Sequence, residues 1–334
     1  MYRRTLALAA ILAAAVTGNA IASDLPVKAA PKKVVEIPYF LVNENSVSYH
    51  YEFTATNPGA GKTPKHVATF SHFDVWAYGT NFVNIDWLKA TSTDTPSLGV
   101  FATPPNCLGG IGVRNTCAGY TEIYGFIRST LGWNELTHSK MFTMGPLKNI
   151  SWAYGADGNT DNTALGSAKR SVQAGVQFDF AMPFNGNLSL SGFAYKEWQH
   201  DGFNAGTALN PTGNVEFKTT WGFGANYTQP LGFLPPSVPL TYKAIVGLHG
   251  PKGFGENPLI APGERKTELF TQQTLDLDTG KILFSKANMW SVWVGYRYWR
   301  NKFGLNDTTV VAAPSVGLPF ATERTWLAGS TWAW

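Results

Sequence analysis

From Asn45 onward, apolar and polar positions alternate with a period of two in short runs separated by turn-forming residues. In the stretch 45–56, Val47, Tyr49, Tyr51 and Phe53 fall on one face, and Ser46, Ser48, His50 and Glu52 on the other. The stretch 215–227 sets Val215, Phe217, Trp221, Phe223 and Tyr227 against Glu216, Lys218, Thr220 and Asn226. Successive side chains of a strand point to opposite faces, so each run predicts a strand with one dry and one wet side. About 12 such runs occur, near 45–56, 66–78, 80–89, 120–131, 149–156, 170–182, 187–200, 214–229, 238–249, 264–277, 287–300 and 323–334. Most reach the roughly 9–11 residues that a tilted strand needs to cross a bilayer. The expected fold is all-β: a transmembrane, antiparallel, up-and-down β-barrel with both ends in the periplasm.

Connection lengths fit that topology. Long or moderate segments at 90–119, 157–169, 201–213, 250–263 and 301–322 are expected outside, while Gly79 and Asn185-Gly186 mark tight periplasmic turns. The connection at 132–148 is the exception, long where a short turn is expected, and could hold a small helix or a hairpin extension. The last run, Thr325–Trp334, alternates Trp326, Ala328, Trp332 and Trp334 toward one face. An aromatic final residue on an amphipathic strand resembles the signal of outer-membrane barrels, which makes the barrel assembly machinery an expected partner through Trp334.

Three features at the start of the chain change the domain picture. Arg3 and Arg4 precede an apolar run, Leu6 to Val16, and Ala20-Ile21-Ala22 supplies a small-x-small cleavage pattern. Residues 1–22 therefore read as a signal peptide, 23–44 as a periplasmic N-terminal segment rich in Pro, Ala and Lys, and 45–334 as an outer-membrane β-barrel. Charged residues make up 14% of the chain, against about 25% in soluble domains, and aromatic residues another 14%. After the signal, no stretch of about 18 consecutive apolar residues predicts a helical span. The formal charge of +4 includes the signal's Arg pair, so the mature chain is near neutral and is not expected to bind nucleic acid. Export permits a disulfide, and Cys107 and Cys117, set among Pro and Gly, are expected to staple a surface loop. They lack the CxxC spacing and His partners of a metal or redox pair.

Strand phase also nominates the residues that line a wet lumen. They are His50, Glu52, His72, Asp74, Asn84, Asp86, Glu122, Tyr124, Arg128, Gln173, Gln177, Asp179, Glu216, Lys218, Lys243, Glu268, Gln272 and Arg297, with Trp76 and Phe126 on the same expected face as charged neighbours. Acids and bases are balanced, which suits a neutral polar solute better than an ion of one sign. No metal or cofactor is expected: the six His are scattered and form neither HxxxH nor HExxH. Asp157-Gly158-Asn159 resembles a Ca²⁺ loop in composition only and reads as a solvated loop tip. Thr137-His138-Ser139-Lys140 could suggest a nucleophile but lacks an acid at a useful spacing. A barrel enzyme acting on lipids and a plugged surface-interaction barrel are the alternatives to a channel.

The block Phe70-Ser71-His72-Phe73-Asp74-Val75-Trp76-Ala77-Tyr78-Gly79, followed by Asn81-Phe82-Val83-Asn84-Ile85-Asp86, resembles the strand–turn–strand of the Tsx/OmpK-like nucleoside-specific channel family. Glu122 and Arg128, then Gly145-Pro146-Leu147-Lys148 and Trp152-Ala153-Tyr154-Gly155, look like that family's next block. The resemblance covers roughly 45–200 and implies a 12-stranded barrel that passes nucleosides, with His72, Trp76, Asp86, Glu122 and Arg128 as the positions carried over. The segment 90–119 departs from the pattern.

Overall fold

A computed structural model describes residues 39–57, 61–62, 64–91, 121–161, 168–205, 212–253, 265–305 and 321–334. The expected signal peptide, the tail up to Pro38, the expected Cys107–Cys117 disulfide and most of the segment 90–119 lie outside the described residues. The wall consists of twelve antiparallel strands. They are β1 (Phe40–Glu52), β2 (Lys65–Trp76), β3 (Gly79–Ala90), β4 (Thr121–Gly132), β5 (Leu147–Asp161) and β6 (Arg170–Met182). Then come β7 (Gly186–Ala205), β8 (Thr220–Pro230), β9 (Leu240–His249), β10 (Glu268–Asp278), β11 (Trp290–Arg300) and β12 (Glu323–Ala333). Each pairs with its sequence neighbours, and β12 returns to β1 in a register from Ser46↔Ala333 to Glu52↔Leu327. Closure gives each wall strand a partner on both sides over its central part, the condition for a sheet to sit in hydrocarbon.

The outward face carries Val47, Ile85, Ile127, Val172 and Val294, all exposed. Aromatic side chains flank them at both ends, Trp87, Trp221 and Trp326 on the loop side and Trp152, Trp332 and Trp334 on the turn side. Apolar bodies with polar tips favour the headgroup level, so the two tiers mark the borders of the bilayer. A closed barrel with this outer face belongs in an outer membrane.

The structure departs from the sequence pattern in three places. The run expected at 214–229 is split: residues 212–216 pair with the outer part of the 20-residue β7, and the wall strand begins only at Thr220. The weak run at 149–156 is a 15-residue strand whose alternation is diluted by Ala153, Gly155 and Gly158. First in the chain, β1 starts at Phe40, ahead of Asn45: Asn43, Glu44 and Asn45 put polar side chains on both faces and hide the alternation, and a bulge interrupts the register between Phe40 and Val42. Turn chemistry is otherwise as expected. The connection after β6 is closed by Phe184 and Asn185 at φ of 53° and 61°, left-handed values that suit a tight hairpin. The long connection at 133–146 contains a one-turn helix, α1 (Trp133–Leu136), and 279–289 contains a second, α2 (Thr279–Phe284), started by the Asp278 side chain accepting from the Lys281 N–H at 2.9 Å.

Candidate functional site: the lumen wall

Cross-strand partners share a face, so the register fixes which side chains enter the barrel. Starting from Glu52, the chain of pairs Glu52↔Leu327 and Thr325↔Arg297 places Glu52, Arg297, Thr325 and Leu327 inside. Arg297 Nη1 lies 2.6 Å from Glu52 Oε1 and 3.6 Å from Glu323 Oε1, and its other nitrogens donate to Gln272 Oε1. Lys302, from the connection after β11, reaches in to Glu323 Oε2 at 2.7 Å and to the Thr56 carbonyl. His50, Lys65 and Asp86 complete this arc, Asp86 accepting from Thr69 at 2.7 Å and Asn84 at 2.9 Å.

A second arc faces the first from β4 to β10. Arg128 Nη2 binds Asp157 Oδ2 at 2.9 Å, and Lys169 lies 3.4 Å from the other oxygen. Lys252, from the connection after β9, meets Glu197 Oε1 at 2.6 Å, and the Tyr195 hydroxyl donates to Glu197 Oε2. Glu122 accepts from Asn159 at 2.8 Å and lies 3.9 Å from Lys65, joining the two arcs. Most of these groups are buried, and acids and bases alternate, so each charge is compensated by its neighbours. Burial, the larger influence, pushes the Lys252 and Lys302 ammonium groups below the ordinary lysine range, against the pull of Glu197 and Glu323. Both lysines lie outside the wall strands and tie loop bases into the mouth.

Toward the turn side the lumen changes character. Ser46, Ser48, Ser71, Thr80, Ser189, Ser191 and Thr228 face inward, with Gln177 and Ser189 donating to Asp179 and Lys243 paired with Asp276 at 2.6 Å. Gln173 faces the same lumen opposite Tyr195. Rings lie flat on the wall where glycines leave room. A Cβ on Gly329 would sit 2.5 Å from Trp293 Cζ2, and one on Gly222 would overlap the Phe193 ring. Gly329→Leu is therefore expected to swing Trp293 into the passage and lower single-channel conductance in a planar bilayer while the barrel still folds.

Five expected lumen residues are outside, three of them on β2. The continuous register of β2 places His72, Asp74 and Trp76 on the face of Phe70, which pairs with the exposed Val47 and Ile85. Ser71, Phe73 and Val75 are the inward residues. Each face of 71–76 mixes polar and apolar side chains, so polarity alone chose the wrong phase. His72 bridges Asn45 at 2.9 Å and Asp74 at 3.2 Å, and Asn81 donates to Asp74 at 2.9 Å. These bonds leave Asp74 only 4% exposed and make a carboxylate tolerable on an outward surface. Asp157 is a lumen residue of β5, not a solvated loop tip, whereas Glu216, paired with Lys196, and the exposed Lys218 lie outside the wall strands in the connection before β8. His50, Glu52, Asp86, Glu122, Tyr124, Arg128, Gln173, Asp179 and Arg297 all face inward. Sequence reasoning missed Lys169, Lys252 and Lys302, which enter from loops and have no strand phase to betray them. It also missed Tyr195, Glu197 and Gln199, whose spacing of two was a readable signal. The Ser139 hydroxyl bonds to Thr137 at 2.8 Å, while the His138 ring lies against Tyr78.

Comparison with known proteins adds general context. An outer membrane channel from Pseudomonas putida F1 is 9% identical, with 92% of this chain and 100% of that one covered and a TM-score of 0.45. The translocator domain of the autotransporter NalP from Neisseria meningitidis is 12% identical, covering 87% of each chain, with a TM-score of 0.36. OprD from Pseudomonas aeruginosa is 10% identical, covering 87% of this chain and 94% of that one, with a TM-score of 0.26. No protein-family model matches the chain. No curated protein matches it either.

Proposed function

We propose that this protein is a passive channel for small hydrophilic solutes, with nucleosides as the preferred class. The observation that carries the reading is the inner wall itself: compensated charge at the mouth, then small hydroxyl side chains interspersed with rings that lie against the sheet. Compensated charge gives neither ion sign a strong advantage. Tyr124 and Phe126 sit 5.8 Å apart on β4, and Phe82 is 5.6 Å from Phe126. Aromatic faces of this kind can stack a nucleobase, while Asn84, Gln173 and the nearby carboxylates can bond ribose hydroxyls. Of the positions that the motif resemblance carries over, Asp86, Glu122 and Arg128 face the lumen and support the same preference, whereas His72 and Trp76 face outward and do not. The outward Trp332 and Trp334 at the end of β12 support recognition by the barrel assembly machinery.

In a planar bilayer, the folded protein is expected to conduct, and added nucleoside is expected to reduce the current reversibly. A correctly folded sample with no conductance would refute the channel, and conductance that no nucleoside reduces would refute the preference alone. Stacking on an aromatic side chain contributes about 1–3 kcal/mol per base, so Phe126→Ala is expected to weaken the block by roughly 5- to 150-fold without closing the channel.

A further inference from the structure

The periplasmic connections of an outer-membrane barrel are expected to be short and polar, yet those at 133–146, 231–239 and 279–289 are longer than turns and carry large exposed apolar side chains. Met141 and Met144 are 75% and 77% exposed, Phe233 71% and Leu283 61%, with Ile282 and Phe284 beside Leu283 on α2. Facing periplasmic water, each would carry an apolar hydration cost with no offset.

Ring contacts show which way two of these segments lean. Trp133 on α1 packs at 5.3 Å against Trp152, an outward residue of β5, and at 5.1 Å against Phe142 in the same connection. His138 lies 6.5 Å from Tyr78, which in turn packs on the outward Trp76. Phe284 on α2 lies 6.3 Å from Trp290, an outward residue of β11 paired with the outward Trp332. The connections thus extend the lipid-facing surface past the last row of wall residues. Exposed Lys140 lies in the first of them, and exposed Lys281 and Lys286 in the other.

We propose that these connections are interfacial anchors, lying in the headgroup region of the periplasmic leaflet and held by apolar insertion and by lysine contacts with anionic phospholipid. Continuity with the wall fixes the occupant as lipid: the same aromatic tier that meets the bilayer border is the surface on which both segments rest. The anchors would set the height of the barrel and resist its tilt. They also account for the anomalous length of the connection at 132–148 in the sequence.

The test uses the full mature chain in vesicles of phosphatidylethanolamine and phosphatidylglycerol, with Cys107 and Cys117 replaced by Ser. Nitroxide labels are placed through Met141→Cys or Leu283→Cys, and collision rates with oxygen and with a water-soluble nickel chelate are compared. Val47→Cys serves as the lipid reference and Lys218→Cys, in an external connection, as the water reference. The expected result is a several-fold excess of oxygen over nickel accessibility at 141 and 283 relative to 218, and a smaller excess when phosphatidylglycerol is left out. Nickel accessibility at both sites equal to that at 218, with the label at 47 still in lipid, would overturn the anchors and leave the barrel reading intact. A label at 47 open to nickel would instead overturn the reading of the wall itself. Protection from both reagents at 141 and 283 would also overturn the anchors, in favour of a protein contact.

Discussion

Arg297→Met is expected to destabilise the folded barrel by about 3–5 kcal/mol, the usual consequence of stripping one partner from a buried ion cluster. The reason lies in how many groups lean on one guanidinium. Arg297 lies within salt-bridge distance of both Glu52 and Glu323 and donates to Gln272. Removing it leaves two buried carboxylates with Lys302 and Lys65 as the remaining nearby cations among the described residues. Urea unfolding in lipid vesicles, followed by tryptophan fluorescence, reads the loss directly. The same variant is expected to favour cations in reversal-potential measurements, because the mouth gains unbalanced negative charge. Replacing Glu52 with Gln alongside Arg297→Met is expected to recover part of the stability, since one uncompensated charge is removed with its partner. If Arg297→Met unfolds at the same urea concentration as the parent chain, the cluster is solvated in the membrane and the compensated mouth described above does not exist.

How much of this was legible beforehand differs from strand to strand. Residues 46–53 announced their faces cleanly, because Ser, His and Glu on one side opposed Val, Tyr and Phe on the other, and Glu52 and His50 emerged inside. Residues 71–76 did not, because His72 and Asp74 satisfy one another on the outer surface while Phe73 and Val75 face the lumen. A hydrogen-bonded pair can place polar atoms on a greasy surface at little cost, and a single-strand pattern cannot see the partner. The charged mouth was half visible for a related reason. Strand residues such as Arg297 and Glu122 have a phase that sequence can assign, whereas Lys252 and Lys302 arrive from connections whose path depends on the acids already waiting in the wall. Periodicity reports local geometry; compensation between distant groups is a property of the closed barrel.

Two residues that no sequence pattern distinguishes by type make that difference measurable. Val294 on β11 and Ile245 on β9 are both apolar, both near the middle of their strands, and 55% and 45% exposed. Register separates them. Val294 pairs with Leu275 and Ala328 on the outer face, whereas Ile245 pairs with Gln272, the lumen partner of Arg297. Val294→Arg is expected to cost about 2–4 kcal/mol, because the guanidinium must either enter hydrocarbon or drag water to it near the bilayer midplane. Ile245→Arg is expected to leave unfolding nearly unchanged, since its charge projects into a hydrated passage, and to shift the reversal potential toward anions. Urea titration of both variants in the same vesicles decides the matter, with heat-modifiable mobility on a gel as the check that each has folded. Equal destabilisation by the two substitutions would mean that the inner and outer faces are not chemically distinct. A polar lumen inside a greasy wall, and with it the passage of any solute, would then have no physical basis.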